Sequence, residues 1–348
     1  ALITVSTLLF SLHTWPEDKP ALTPLLKWLT PNSILLQKHL YKPMPVGDRT
    51  RYATCTSAAW FHGHYLALAN LYGRHIHIYF FDEQTNTLHL IQEITDPTNT
   101  HLHMPEHMSV SPDETLLVLS DALKPAMHFY SITPDHRVSS WPLVSLPQKG
   151  LVHNVRFSPD GKHCACVCFD KNEAISIYAI DRTHQNSIRL HQTFCDSNYS
   201  KLRLKAIYFT QNGRFAILAY SLSIVDSTRM PHENLLAVRT FNQARGTLGD
   251  TICTVPGNFS IEDVCLSADE TELLATNQAH DELLVYPFNP RTGIINPHYI
   301  AHNNPDAQLS FPHGISISHD GNYLAVANYG DDSCNIYALQ NSNLHNSH

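Results

Sequence analysis

Glu106, His153, Lys205, Glu262 and His313 each stand seven residues ahead of a recurring turn signal, together with Cys55 in a weaker copy. Imidazoles near neutrality exchange protons, carboxylates orient imidazoles, and an ammonium balances developing negative charge. One place later come Thr56, His107, Asn154, Ala206, Asp263 and Gly314. Eight residues past the signal stand Asn70, Asp121, Cys168, Tyr220, Asn277 and Asn328. If the repeats surround an axis, the first set rings one channel mouth with the others near it. Convergent polar groups in a concavity are the default candidate for a site. The predicted catalytic set is His153, Glu262, His313 and Lys205, with Glu106, His107, Asn154, Asp263, Asn277 and Asn328 as ligand-binding neighbours. As a wet rim, these positions are expected to be partly exposed.

Other clusters carry less. Cys164, Cys166 and Cys168 alternate along a strand and share a face, as metal ligands could. At the first two of these positions the other repeats hold Leu, Ala or Val, so Cys164 and Cys166 are expected in the core as small apolar residues. His101 and His103 also alternate, and with Glu106 and His107 they form a weak alternative metal site. With 24 histidines such pairs arise readily. No Walker A loop, GxGxxG, GxSxG or HExxH pattern is present. No cofactor is predicted, a divalent metal being the alternative.

The elements that position these residues follow from the turn signals. Residues 311–339 alternate as a strand, turn at Asp320-Gly321, alternate again, turn near Gly330 and finish in a third strand. Related units centre on residues 62, 113, 160, 212 and 269, and successive centres lie 51, 47, 52, 57 and 51 residues apart. A period of about 50 residues with four short strands per unit marks an all-β propeller. Six blades are predicted, with seven as the alternative. Residues 33–40 are expected to supply the missing outer strand of the last blade and so close the ring. The predicted organisation is an N-terminal extension, 1–32, and one propeller domain, 33–348. The long spacing near residue 221 locates an insertion, 221–233, that offers a loop face for a protein partner.

Composition sets further bounds. The formal charge is −8, only 16% of residues are charged, and 43% are hydrophobic. A weakly acidic chain without a basic run is not built to neutralise phosphate backbones, which argues against nucleic acid. No stretch reaches the roughly 18 apolar residues of a spanning helix, so no membrane span is predicted. Eight cysteines without dense pairing point to free thiols and a cytoplasmic location.

The segment Phe311-Pro-His-Gly-Ile-Ser-Ile-Ser-His-Asp-Gly-Asn-Tyr-Leu-Ala-Val-Ala-Asn-Tyr-Gly resembles the blade repeat of lactonase-type propellers. That group includes 6-phosphogluconolactonase-like and carboxymuconate-cyclising enzymes and the YVTN-repeat proteins. The resemblance extends over roughly residues 50–340 and is sharpest at 150–180 and 310–340. It implies a small-molecule ligand, a lactone-type metabolite, held at a channel mouth by His, Glu and Arg. His153, Glu262 and His313 match that set in kind, while the ring cation here is Lys205. In a lactonase, His153 or His313 would activate water, Glu262 would orient a histidine and Lys205 would stabilise oxyanion charge. The alternatives are a non-catalytic interaction propeller and a metal-dependent hydrolase using Glu106, Asn154 and Asp263.

Overall fold

The structure, a computed structural model, describes residues 34–35 (backbone only), 54–98, 100–169, 174–183, 187–195, 202–221, 234–302 and 309–339. The extension 1–32, and all but Ser221 of the insertion, lie outside the described residues.

The first strand, β1 (Ile34–Leu35), belongs to the last blade. The first blade is β2 (Cys55–Phe61), β3 (Tyr65–Asn70), β4 (His75–Asp82) and β5 (Thr87–Thr95). The second is β6 (Pro105–Val110), β7 (Leu116–Asp121), β8 (Ala126–Ser131) and β9 (Val144–Pro147). The third is β10 (Val152–Phe157), β11 (His163–Cys168), β12 (Ile175–Asp181) and β13 (Ser187–Phe194). The fourth is β14 (Arg203–Phe209), β15 (Phe215–Ser221), β16 (Asn234–Asn242) and β17 (Thr247–Gly257). The fifth is β18 (Ile261–Leu266), β19 (Glu272–Asn277) and β20 (Glu282–Asn289), whose outer edge is shared by β21 (Ile294–Ile295) and β22 (Ile300–His302). The sixth is β23 (Pro312–Ile317), β24 (Tyr323–Asn328) and β25 (Ser333–Ala338).

Within each blade the strands pair antiparallel in chain order. The innermost strands touch in the cycle β2, β6, β10, β14, β18, β23 and back to β2. The ring therefore closes at six among the described residues, as the repeat count predicted. Closure is completed by β1, which pairs with β25 in the register Ile34 to Ile336 and Leu35 to Asn335. The sixth blade thus combines both ends of the sequence, and the free edge of β25 is covered.

Local chemistry explains the hairpins. Five of the inner turns share one device, in which a Ser or Thr hydroxyl donates to an Asp or Asn two residues on. The pairs are Ser111–Asp113, Ser158–Asp160, Thr210–Asn212, Ser267–Asp269 and Ser318–Asp320. The next residue takes a left-handed conformation, which Gly161, Gly213 and Gly321 adopt without a side-chain penalty. The second strand of each hairpin is buried along nearly its whole length, whereas outer strands such as β13 alternate towards solvent. Cores form between adjacent blades, and each fully buried aliphatic contributes about 1.5–3 kcal/mol. Cys164 and Cys166 are buried there with Val118, Phe129 and Val155, as expected of core residues.

Candidate functional site

Every innermost strand breaks its register at the same level. The irregularities fall between Cys55 and Ser57, Pro105 and Met108, Val152 and Asn154, Leu204 and Ala206, Ile261 and Val264, and Pro312 and Ile315. Bulges re-aim the side chains they carry. Five of the six bracket the predicted ring residue itself. In the first blade the bracketed residue is Thr56, and Cys55 packs instead in the core with Cys334 and Tyr79.

In ring order the positions read Cys55, Glu106, His153, Lys205, Glu262, His313, so a Glu–His pair recurs three blades apart. The two imidazoles face one another across the axis with centroids 5.4 Å apart. His153 Nε2 lies 3.0 Å from Glu262 Oε2 and 3.6 Å from Glu106 Oε1. His313 Nε2 lies 3.3 Å from Glu106 Oε1 and 3.8 Å from Glu262 Oε2. Each imidazole is anchored from behind. His153 Nδ1–H donates to the Lys205 carbonyl at 2.9 Å, and His313 Nδ1–H donates to the Thr56 carbonyl at 3.0 Å. Lys205 Nζ donates to both Glu262 oxygens, at 2.9 and 2.8 Å. Gly314 is required by this packing, because a Cβ there would meet the Thr56 carbonyl oxygen at 2.6 Å.

The structure corrects the expectation of a wet rim. Glu262, His153 and His313 are 3–4% exposed, buried beneath aromatic rings. Phe169 stacks on His153 and Tyr329 on His313, and the Tyr329 hydroxyl meets that of Tyr72 at 3.2 Å. Burial would raise both ring carboxyls, but the neighbouring cations reverse this. Lys205 and the imidazoles hold Glu262 well below the usual carboxylate range, and His313 with His153 lowers Glu106. Burial would lower His313, yet its bond to Glu106 and the charges of both carboxylates leave it raised.

The next position along the same strands forms a different layer. Asp263 accepts from His107 Nε2 (2.9 Å), Asn154 Nδ2 (3.1 Å), Arg156 Nη2 (3.2 Å) and the backbone N–H groups of Ile315 and Val264. Burial would raise its carboxyl, but His107 and Arg156 hold it far below the ordinary value. His107, Asn154 and Asp263 are thus brought together, engaged with one another rather than facing a cavity. Asn277 and Asn328 sit apart and secure loop backbone, accepting from the N–H groups of Ser260 and Ser310. His101 and His103 do not converge, since their Nδ1 atoms face different carboxylates, Asp96 at 3.2 Å and Asp121 at 3.0 Å.

Three mouth residues escaped sequence reasoning. Phe169 and Tyr329 immediately follow the second-strand positions already registered, but aromatics there read as packing. Arg203 precedes Lys205 by two residues and so shares its strand face. It is exposed, and its guanidinium lies 5.3 Å from the centre of the Phe169 ring, as does Lys205 Nζ. The mouth therefore has an arginine.

A cavity of about 540 Å³ opens at the opposite end of the channel, lined by Trp60, Ser109, Arg156, Tyr208 and Ser316 among others. Arg156 is its nearest candidate for chemistry and is already paired with Asp263. Its lining also includes Glu114, which pairs with His62 Nδ1 at 2.9 Å.

The family model described as "Lactonase, 7-bladed beta-propeller" matches residues 145–346, more than half of the chain. The protein belongs to this lactonase family of β-propellers, and its described residues close the ring with six blades. No curated protein matches the sequence. Among solved structures it is similar to a periplasmic gluconolactonase, PpgL, of Pseudomonas aeruginosa (17% identity, 81% of this chain and 80% of that one, TM-score 0.58). It is also similar to a putative 6-phosphogluconolactonase of Bacteroides uniformis (18% identity, 71% of each chain, TM-score 0.52). A chain of a mitotic checkpoint complex aligns comparably (16% identity, 82% and 76%, TM-score 0.52), so likeness at this level reports the fold. No described helix is long and apolar enough to cross a membrane.

Proposed function

We propose that the protein hydrolyses an anionic lactone at the Glu106–His153–Glu262–His313 mouth. The observation that carries this reading is the pair of backbone-anchored imidazoles. With Nδ1–H committed to a carbonyl, each ring directs Nε2 at the axis, where two carboxylates converge from other blades. Local folding of a blade has no need of that convergence. Family membership supports the lactone class.

In this reading Arg203 holds the substrate's carboxylate or phosphate at the entrance, a task suited to its forked donors. A water between Glu106 and the two Nε2 atoms attacks the lactone carbonyl and passes its proton to the imidazole–carboxylate set. Lys205, steadied by Glu262, offsets the oxyanion. The ring C–O bond then breaks, and the alkoxide is reprotonated to give the open hydroxy acid. Glu106, and the network of His107, Asn154 and Asp263 beneath it, hold the imidazoles and their strands in register.

The test is a titrimetric assay of ring opening across neutral, carboxylated and phosphorylated sugar lactones, corrected for spontaneous hydrolysis. Turnover of the anionic members is expected, with KM raised about tenfold or more by Arg203→Ala. A panel hydrolysed no faster than in buffer would overturn the assignment.

A further inference from the structure

The mouth contains an unmet electrostatic need. Both Nδ1 atoms are donors to carbonyl oxygens, so a neutral His153 or His313 presents a lone pair at Nε2. Those lone pairs face carboxylate oxygens 3.0–3.8 Å away, acceptor against acceptor. With both imidazoles neutral, Lys205 is the one cation among the described residues in hydrogen-bond contact with either carboxylate. A cation between them, either a proton on an imidazole or a bound ion, would balance the site.

We propose that this point is a divalent transition-metal site of the zinc class, with His153 Nε2, His313 Nε2 and Glu106 Oε1 as its protein ligands. Three observations bear on it independently of the hydrolytic reading. First, the three donor atoms lie within 4.8 Å of one another from three separate blades. Zinc bonds of about 2.0–2.1 Å in a tetrahedron require ligand–ligand edges of about 3.3–3.4 Å. The two Glu106 edges measure 3.3 and 3.6 Å. Second, metal-bound histidines characteristically donate their other ring N–H to a carbonyl or carboxylate, which fixes the ring and its tautomer. Both do so here, each to the backbone of the next blade. Third, two imidazoles and one carboxylate select a first-row transition ion over calcium or magnesium, which prefer all-oxygen shells.

The fourth position faces Glu262, whose Oε2 is near both Nε2 atoms and is held by Lys205. A water bound to the ion could donate a hydrogen bond to it. Two His, one Glu and a water is the donor set of a hydrolytic zinc centre. The site rests on the proposed reading of these residues. With an ion bound, the imidazoles would be its ligands and the ion would activate the water that they otherwise deprotonate. The site stands or falls by metal binding alone.

A second group, His75, His77 and Glu93, lies on the first blade and serves as an internal control. Full-length protein is stripped with chelator and dialysed against Zn²⁺ or Co²⁺, and bound metal is counted per chain. One equivalent is expected, with the intense visible bands of four-coordinate Co²⁺. It should persist in His77→Gln and weaken at least about tenfold in Glu106→Gln and in His313→Gln. If those variants do not fold, the wild-type spectrum and its Zn²⁺-dependent rise in melting temperature carry the test. Failure of wild type to retain metal, retention lost only in His77→Gln, or a six-coordinate Co²⁺ spectrum would each overturn the site. Metal binding without lactone turnover would remove the hydrolytic proposal and leave this one. Full-rate turnover by wild type that retains no metal would do the reverse.

Discussion

Two layers of side chains, one residue apart on the same six strands, make opposite use of similar chemistry. In the lower layer His107 accepts the Val155 N–H at Nδ1 (3.4 Å) and donates Nε2–H to Asp263, so a neutral ring satisfies both atoms. In the upper layer His153 and His313 satisfy only Nδ1 in this way, and Nε2 confronts carboxylates. Asp263 is saturated by side-chain and backbone donors, whereas Glu106 receives only imidazole edges among its described contacts. Residue type does not separate structure from function here. The separation lies in whether donors and acceptors balance without an added proton, ion or substrate.

The largest expected effect comes from unbalancing the lower layer. Asp263→Asn leaves Arg156 without its carboxylate and sets an amide against the donors that Asp263 now satisfies. A loss of about 3–5 kcal/mol in unfolding free energy is expected by denaturant titration, typical of breaking a buried ionic network. Activity per folded molecule should fall far less than in His313→Gln. A stable Asp263→Asn with no activity would invert the roles of the layers.

Smaller, at about 1–3 kcal/mol, is the cost of Gly314→Ala, which drives a Cβ against the Thr56 backbone. Because the Thr56 carbonyl anchors His313, turnover should fall more than stability predicts. Cys166→Ser is expected to cost a similar 1–3 kcal/mol by burying a hydroxyl among aliphatics, with turnover per folded molecule unchanged. Equal activity losses in the two variants would erase the distinction between anchor and filler.

The finest contrast is in pH. Burial lowers His107, and the charge of Asp263 does not fully offset this, while the ring carboxylates raise His313. The signs follow by linkage. His107 weakens the fold as pH falls below about 6.5, where the unfolded chain binds a proton that the folded ring resists. His75, His128 and His302, each lowered by burial to about 4, add to that acid loss. His313 acts oppositely, its contribution being full below about 6.5 and lost as pH rises through its folded value. NMR titration of the imidazoles should show His313 titrating above the ordinary histidine range and His107 below it. The reverse order would dissolve the contrast between layers.

Much of the fold was legible because the turn chemistry repeats. The Ser/Thr-x-Asp/Asn device and its following residue mark each hairpin, and counting them returned six blades and a shared last sheet. The convergence of Glu106, His153, Lys205, Glu262 and His313 followed from the same register. Burial of the ring did not, because it depends on Phe169 and Tyr329 folding over imidazoles from neighbouring strand ends. The bulges were equally hidden, since a bulge is a property of pairing rather than of composition. For that reason His107, Asn154 and Asp263 read as ligand groups, although their partners are each other. Asn277 and Asn328 share a register position with Asn70 and Asp121, and their work is loop anchoring.

The central claim is that chemistry resides in the upper layer, and kcat/KM of His313→Gln towards an anionic lactone tests it most directly. At a temperature where variant and wild type are both fully folded, a drop of about a hundredfold or more is expected. Undiminished turnover by folded His313→Gln would contradict it.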